Sequence, residues 1–597
     1  MIKLQIGQML YDIRTEMEIT QEELCEGLCT VSALSKYENG TRFPDSLLFH
    51  ALMQRLGKSP SRINIMVSEQ EAVYYEWKKK TLDAIKAQRW EEVKALREKG
   101  HEENALINES LQRQFELYLD SIIWDKLHHN QEKSYECIGE AIHLTMPDID
   151  SWDGKRKLIS GDEMNMAFLY LRAEKKLGIK SDAELKKQFD AFTRYVNQRV
   201  DDVFEKAKLY PRLVCAQIYL VDMDVRERIF LEKKALSLLK QTREIYDMPE
   251  VLRLLVKDLR SVGAEDVVIY EKQRAALVEV INEFGTPYTF RLENWYDSNE
   301  QICLMNEYLR AARMQKQMTQ EELSEGICAV ETYSRIESGK RSPSKRNYLE
   351  LAEKLEVNWG YYRGQIVTTH FRDFEIMTKQ RFAMLDDRLE ESEEYLYDLK
   401  KSLDMEDIEN RQYIGLQELI LTDQRGEIVG EAFVERCEEL LKYTLEDWRE
   451  TERFLTKTEL ELIFQMGWYY ESKKEYGKVV YILENALRKY ETRKYSSWYE
   501  IGLMKRMLAG GYSDLGEYEK SNEMMNALIR EMLNWQDGQA LAEAVYLLGW
   551  NYENQKKACD DLYVKAFYLS DLFENHMHHA IFQKYYEDNF NSEMQWY

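Results

Sequence analysis

Few of the side chains suited to covalent or metal chemistry are arranged to perform it. The eight cysteines, Cys25, Cys29, Cys137, Cys215, Cys303, Cys328, Cys437 and Cys559, are spread over 597 residues. That is too sparse for a disulfide scaffold and fits a reducing compartment. Cys25 and Cys29 share a helix face, yet no histidine or second pair stands nearby to complete a zinc site, so they read as small buried apolar residues. The nine histidines show no metal spacing, and His128-His129 and His578-His579 lie in polar helical runs. No glycine loop is suited to cradling phosphate. The expectation is a protein that is not an enzyme, with no metal and no cofactor.

What remains is a question of which elements present the charged residues. Seven prolines and 26 glycines, against 32% charged and 12% aromatic residues, leave few helix breakers, so the chain reads as all-α. Its length implies several domains. No stretch approaches 18 apolar residues, and acids interrupt the N-terminus where a signal peptide needs an apolar core; the expectation is a soluble, cytoplasmic protein without a membrane partner. The formal charge of −25 opposes nucleic acid at first sight, because phosphate contacts need local positive potential. Its distribution removes that objection. Residues 3 to 62 hold 7 Lys/Arg against 8 Asp/Glu and residues 302 to 361 hold 9 against 9, so nearly all the excess acid lies elsewhere.

Those two windows belong to an internal repeat. TQEELCEGLCTVSALSKYENGTRFP, from Thr20, aligns without gaps with TQEELSEGICAVETYSRIESGKRSP, from Thr319, with 14 of 25 positions identical. The offset of 299 recurs at Thr145 and Thr444, so the whole chain reads as a tandem duplication. Periodicity lapses around Gly285 and Pro287. The expected domains are therefore 1–66, 67–284, a linker over 285–300, 301–364 and 365–597. Within each repeat, Thr20 with Glu23 and Thr319 with Glu322 have capping-box spacing and predict a helix start. Leu24 and Leu28 line its buried face; Val31, Leu34 and Tyr37 continue the stripe on a second short helix, as do Val330, Tyr333 and Ile336 in copy two. Asn39-Gly40 and Ser338-Gly339 supply its end.

Both copies resemble the Cro/repressor (XRE) helix-turn-helix family, in T-Q-x-x-L and in the E-N-G or E-S-G that closes the second helix before a basic residue and proline. The resemblance implies a structural salt bridge from Arg14 to Glu38 and from Arg313 to Glu337. It implies double-stranded DNA as partner, with the second helix in the major groove. The outward positions there, the candidate base readers, are Thr30, Ser32, Ala33 and Lys36 in copy one and Ala329, Glu331, Thr332 and Arg335 in copy two. A cation at Lys36 or Arg335 can donate to guanine O6/N7, and Glu331 can accept from cytosine N4. Gln21, Gln320, Arg42 and Arg341 resemble the family's backbone clamps, and Lys340, Lys345 and Arg346 add cations that copy one lacks. Unequal readers imply an asymmetric operator.

The remainder of each copy alternates helical stripes with short turns. Gly467 and Tyr470, Ala509 and Tyr512, and Gly549 and Tyr552 repeat one spacing, with Tyr476 and Tyr518 at the second-helix position. This is similar to a TPR-like α-solenoid. A Cro-type head followed by such an array resembles peptide-responsive regulators of the PlcR, PrgX and NprR type, which implies a pseudo-dimer within one chain, a possible homodimer, and either a short signalling peptide or a protein partner on the repeats, with quorum sensing as the implied role. The competing reading is a module that sequesters another regulator without binding DNA.

Overall fold

The computed structural model describes residues 6–103, 108–155, 157–295, 302–357, 362–451, 453–490 and 498–590. Head one consists of α1 (Ile6–Glu16), α2 (Gln21–Cys25), α3 (Val31–Glu38) and α4 (Ser46–Arg55), followed by strand β1 (Asn64–Val67). Array one is α5 (Glu69–Lys86), α6 (Trp90–Glu103), α7 (Glu109–Lys126), α8 (Gln131–His143), α9 (Gly161–Leu177), α10 (Asp182–Arg199), α11 (Val203–Leu220), α12 (Val225–Thr242), α13 (Met248–Ser261) and α14 (Val267–Phe284). Head two opens with β2 (Ile302–Leu304) and contains α15 (Met305–Gln315), α16 (Gln320–Ser324), α17 (Val330–Glu337) and α18 (Lys345–Lys354), then β3 (Tyr362–Arg363). Array two is α19 (Phe371–Leu385), α20 (Leu389–Ser402), α21 (Ile408–Gln424), α22 (Ala432–Leu441), α23 (Lys457–Ser472), α24 (Tyr476–Leu487), α25 (Trp498–Asp514), α26 (Tyr518–Trp535), α27 (Leu541–Asn554), α28 (Asp560–Leu572) and α29 (His576–Phe590).

Among the described residues the chain is all-α apart from three short strands, and the arrays are helical repeats. Neighbouring helices pack in sequence, and odd-numbered helices also lie side by side, α9 on α11 on α13 and α21 on α23 on α25 on α27. Close approach explains the small residues of the repeat: a Cβ on Gly467 would lie 2.9 Å from Met507 Sδ and 3.5 Å from Leu483.

The strands have no counterpart in a purely helical reading. They pair in the order β2-β1-β3, with β1 parallel to β2 and antiparallel to β3. Alternation sorts their side chains between two cores. Met66 and Cys303 enter the core of head two, whereas Ile65, Val67, Ile302 and Leu304 join the core of copy one. Three segments this short, drawn from distant parts of the chain, leave no local pattern to read.

The β1–β3 register identifies a symmetry axis. Asn64 opposes Arg363, its own equivalent at the offset of 299. A second such pair joins the arrays. Arg243 and Gln536 are left-handed caps ending α12 and α26, so Glu244 and Asp537 are equivalent, and they form an antiparallel bridge. Ile245 N donates to Gln536 O at 2.9 Å, and its mirror bond runs from Gly538 N to Arg243 O at 2.8 Å. A residue facing its own counterpart lies on a two-fold axis. Beside it α14 packs on its equivalent, α28, and buries Ala276, Leu277 and Val280.

The heads are attached to their arrays differently. Arg55, ending α4, is fully buried; its guanidinium reaches Glu163 Oε1 (2.5 Å), Thr145 O (3.0 Å) and Glu26 O (2.6 Å), tying head one to the start of α9. In copy two the equivalent of Arg55 is Lys354, which donates to Glu325 O within its own head at 2.9 Å. Glu459, the equivalent of Glu163, is instead held by Arg453 of the array at 2.6 Å. The glycines agree. A Cβ on Gly27 would lie 2.3 Å from Thr145 O, while Gly326 has open space around it. Since breaking a buried ion pair costs about 3–5 kcal/mol, Arg55→Met should loosen head one by that order and speed hydrogen exchange in α2 to α4. Lys354→Met should change exchange in α16 to α18 by less than about 0.5 kcal/mol, as exposed substitutions do.

Candidate nucleic-acid interface

Each head is built by the local chemistry of its repeat. Thr20 N donates to Glu23 Oε2 (2.7 Å) and Glu23 N to Thr20 Oγ1 (3.1 Å), with the same two distances at Thr319 and Glu322. The capping box satisfies two orphan amides and fixes where α2 and α16 begin. Gly27 and Gly326 turn the chain at φ of 72° and 80°, and Gly40 and Gly339 do so after the second helix at 71° and 72°, a conformation that costs glycine least.

A buried ion pair closes each head. Arg14 Nε and Nη2 donate to the two carboxylate oxygens of Glu38 at 2.6 and 2.9 Å, while Nη1 caps Ile19 O at 2.8 Å. Arg313 repeats this on Glu337, at 2.7 Å to each oxygen, and on Met318 O at 2.6 Å. The bidentate fork fixes the angle between the first helix and the end of the second. Gln21 and Gln320 join the same network, donating to Glu38 at 2.7 Å and to Glu337 at 3.1 Å. Their amides thus orient the carboxylates that hold the second helix.

On that helix the positions that the resemblance offers as base readers differ in exposure. Thr30, Ser32 and Lys36 are exposed and Ala33 is half-buried; in copy two Ala329, Glu331 and Arg335 are exposed and Thr332 is half-buried. Thr30 also caps α3, its hydroxyl accepting from Ala33 N at 3.2 Å, whereas Ala329 gives α17 no side-chain cap. Arg42, Lys340 and Arg341 are exposed after the turn. Arg346 pairs with Glu350 at 2.7 Å, and the side chain of Lys345 lies outside the described residues. The turn of head two leans on copy one. Ser342 Oγ donates to Gln70 Oε1 at 2.6 Å, and a Cβ on Gly339 would lie 2.4 Å from Glu69 Cγ, whereas Gly40 meets nothing. Conversely the start of array two reaches head one, through His370 and Asp12 at 3.1 Å and through Lys58 and Glu375 at 2.7 Å.

Sequence reasoning missed Arg55, β1 and Gln70, the residues that set where the heads sit. Only the contrast of Arg55 with Lys354 was visible, and nothing local gave it meaning. Cys25 is buried, burial raises its thiol pKa, and Cys29 is pushed up to about 12, chiefly by burial. No helix among the described residues is long and apolar enough to cross a membrane.

The Glu337 carboxyl supplies a pH test. Burial pushes it up, but hydrogen bonds from Arg313 and Gln320 outweigh that and hold it below its usual value. A depressed carboxylate stabilises fully above the unfolded value of about 4.3 and loses that contribution as pH falls through the folded one. The Ile336 methyl resonance should therefore lose its native shift on acidification below about pH 4.3. In Arg313→Met the loss should begin at higher pH.

Residues 10–63 and 309–362 each match the Helix-turn-helix family model. No curated protein matches the chain. Among solved structures, PlcR of Bacillus thuringiensis in complex with the peptide PapR7 and DNA is 19% identical, with 47% of this chain and 98% of that one covered at a TM-score of 0.33. ComR from S. thermophilus in complex with DNA and its signalling peptide ComS is 13% identical, over 47% and 97%, at 0.28. The Streptococcus dysgalactiae SHP pheromone receptor Rgg2 is 13% identical, over 48% and 99%, at 0.25. The capping box, the turn glycine and the closing ion pair are present twice, once in each matched segment, and the chain carries two helix-turn-helix domains.

Proposed function

We propose that this chain is a cytoplasmic, sequence-specific DNA-binding transcriptional regulator that acts as a single-chain pseudo-dimer. The observation that carries the reading is the pairing of Asn64 with Arg363 and of Glu244 with Asp537. Equivalent residues meeting in this way relate the two copies about an axis as the subunits of a dimer are related, and each copy carries one helix-turn-helix domain. Two-fold readers address half-sites roughly one helical turn, ~34 Å, apart. Here the halves differ: Lys36 and Arg335 would each seek guanine, and Glu331 adds an acceptor for cytosine N4 that Ser32 does not match. Lys340 and Arg341 give head two the stronger phosphate grip. The acidic arrays keep DNA off every other face. A short peptide seated on an array would act through the anchorage of the heads, by changing how Arg55 and β1 hold them.

The test is selection from a randomised DNA pool at two salt concentrations. Wild type should enrich an asymmetric two-part site. Lys36→Ala and Arg335→Ala should each relax one half at a cost of roughly 1–3 kcal/mol. Arg341→Ala should weaken all sequences alike and lower the salt slope by about one. Enrichment of a single half would reduce one head to a structural domain, and no enrichment would return the sequestering reading.

A further inference from the structure

The segment joining the two copies is seated in array one as a ligand would be. After α14 the chain has no regular structure, and residues 288–295 run back across the odd-numbered helices, from α13 towards α5. Tyr288 Oη donates to Asp247 Oδ1 at 3.2 Å. Phe290 stacks on Tyr219 of α11 with ring centroids 5.4 Å apart. Arg212 of the same helix donates to the carbonyls of Arg291 and Leu292, at 3.3 and 2.7 Å. Tyr118 of α7 donates to Glu293 O. The Glu293 carboxylate is 1% exposed and lies 2.5 Å from Lys126 Nζ and 2.7 Å from Arg172. Trp295, also buried, meets the Tyr118 ring edge-on at 5.0 Å.

Receptors hold peptides in this way, with main-chain hydrogen bonds giving affinity and pockets taking side chains; here the segment passes through a turn in which Asn294 N donates to Arg291 O at 3.0 Å. Three carbonyls of the segment are bound by array side chains, its one buried acid sits between two cations, and its aromatic end fills a pocket. The equivalent of Arg172 in array two is Trp468, 47% exposed, so this cation belongs to the array that the segment occupies. We propose that residues 288–295 are a tethered ligand: array one contains a groove for a peptide that turns around an acid lying between apolar and aromatic residues, and the chain fills it in cis. Seven positions after Trp295 the chain enters β2, so occupancy of this groove sets the lead into head two. That consequence rests on the DNA-binding reading; the occupancy does not, and it is measured without DNA.

The probe is a fluorescein-labelled synthetic peptide with the sequence of residues 286–295, TPYTFRLENW, titrated into the full chain. A tethered competitor acts at an effective concentration of about millimolar, so wild type should bind the peptide weakly. A variant with Glu293→Gln and Trp295→Ala, its own segment loosened, should bind it at least about tenfold more tightly, and adding Arg172→Ala should remove the gain. Equal binding by wild type and variant, or a gain that survives Arg172→Ala, would overturn the proposal. A second measurement covers the case in which the variant does not fold. In wild type the amides of 288–295 should exchange at least about tenfold faster than those of α7 and α9, because a seated ligand can leave while its groove stays folded. Exchange in step with α7 and α9 would make the segment part of the array core and sink the idea.

Discussion

The arrangement of both copies depends on backbone hydrogen bonds made across one pseudo-two-fold axis. At Asn64 and Arg363, and again around Glu244 and Asp537, a main chain pairs with its own equivalent. The residues involved have diverged: asparagine faces arginine, glutamate faces aspartate, and the flanking bonds join Ile245 to Gln536 and Gly538 to Arg243. Backbone donors and acceptors do not depend on side-chain identity. A duplicated chain can therefore change nearly every residue of its interface and keep the axis, provided that the pairing is made by main chain. This accounts for a two-fold relation surviving in a protein whose halves are no longer alike.

Side-chain contacts show the opposite behaviour. Lys565 on α28 lies 3.2 Å from Glu283 and 3.8 Å from Glu279 on α14, yet the positions of copy two equivalent to those acids are His576, which begins α29, and Leu572, which ends α28. Gln273 donates to Asp571 at 2.6 Å, while the reciprocal positions hold Ala566 and Val278. The anchor of the heads has diverged in the same way. Arg55 spans head and array in copy one; in copy two the carboxylate is retained as Glu459, but the arginine that holds it, Arg453, comes from the array itself. One head is locked to its repeats and the other is positioned by β1 and α5.

Legibility in the sequence followed the range of the interaction. The duplication, the helical character, both capping boxes and the turn glycines could be read, because each depends on residues a few turns apart or on a motif present twice, whereas the Arg14–Glu38 and Arg313–Glu337 pairs, 24 residues apart, came only with the family resemblance. The candidate readers on α3 and α17 came from the family resemblance and not from any local pattern. The strands could not be read: Ile65 meets Ile302 and Tyr362, and a four-residue apolar run has no signature apart from its partner. Residues 285 to 295 lack helical periodicity because they form irregular backbone with a turn at Arg291–Asn294, and a lapse in periodicity looks the same whether a segment is solvated or, like Glu293 and Trp295, buried.

The axis also explains an otherwise costly arrangement of charge. On any two-fold a residue faces its own kind, so an acid there meets an acid. Glu244 and Asp537 have kept that character, and burial, then the Asp537 charge, push the Glu244 carboxyl well above its ordinary value. A carboxyl displaced upward in this way resists ionising beside a like charge. In a dimer of separate chains such a weakness would oppose association at every encounter. Within one chain the partner is always present at an effective concentration of about millimolar, so the bridge needs only to fix register. Covalent linkage thus relaxes the demand on the interface and leaves each half free to diverge towards its own head, groove and reader.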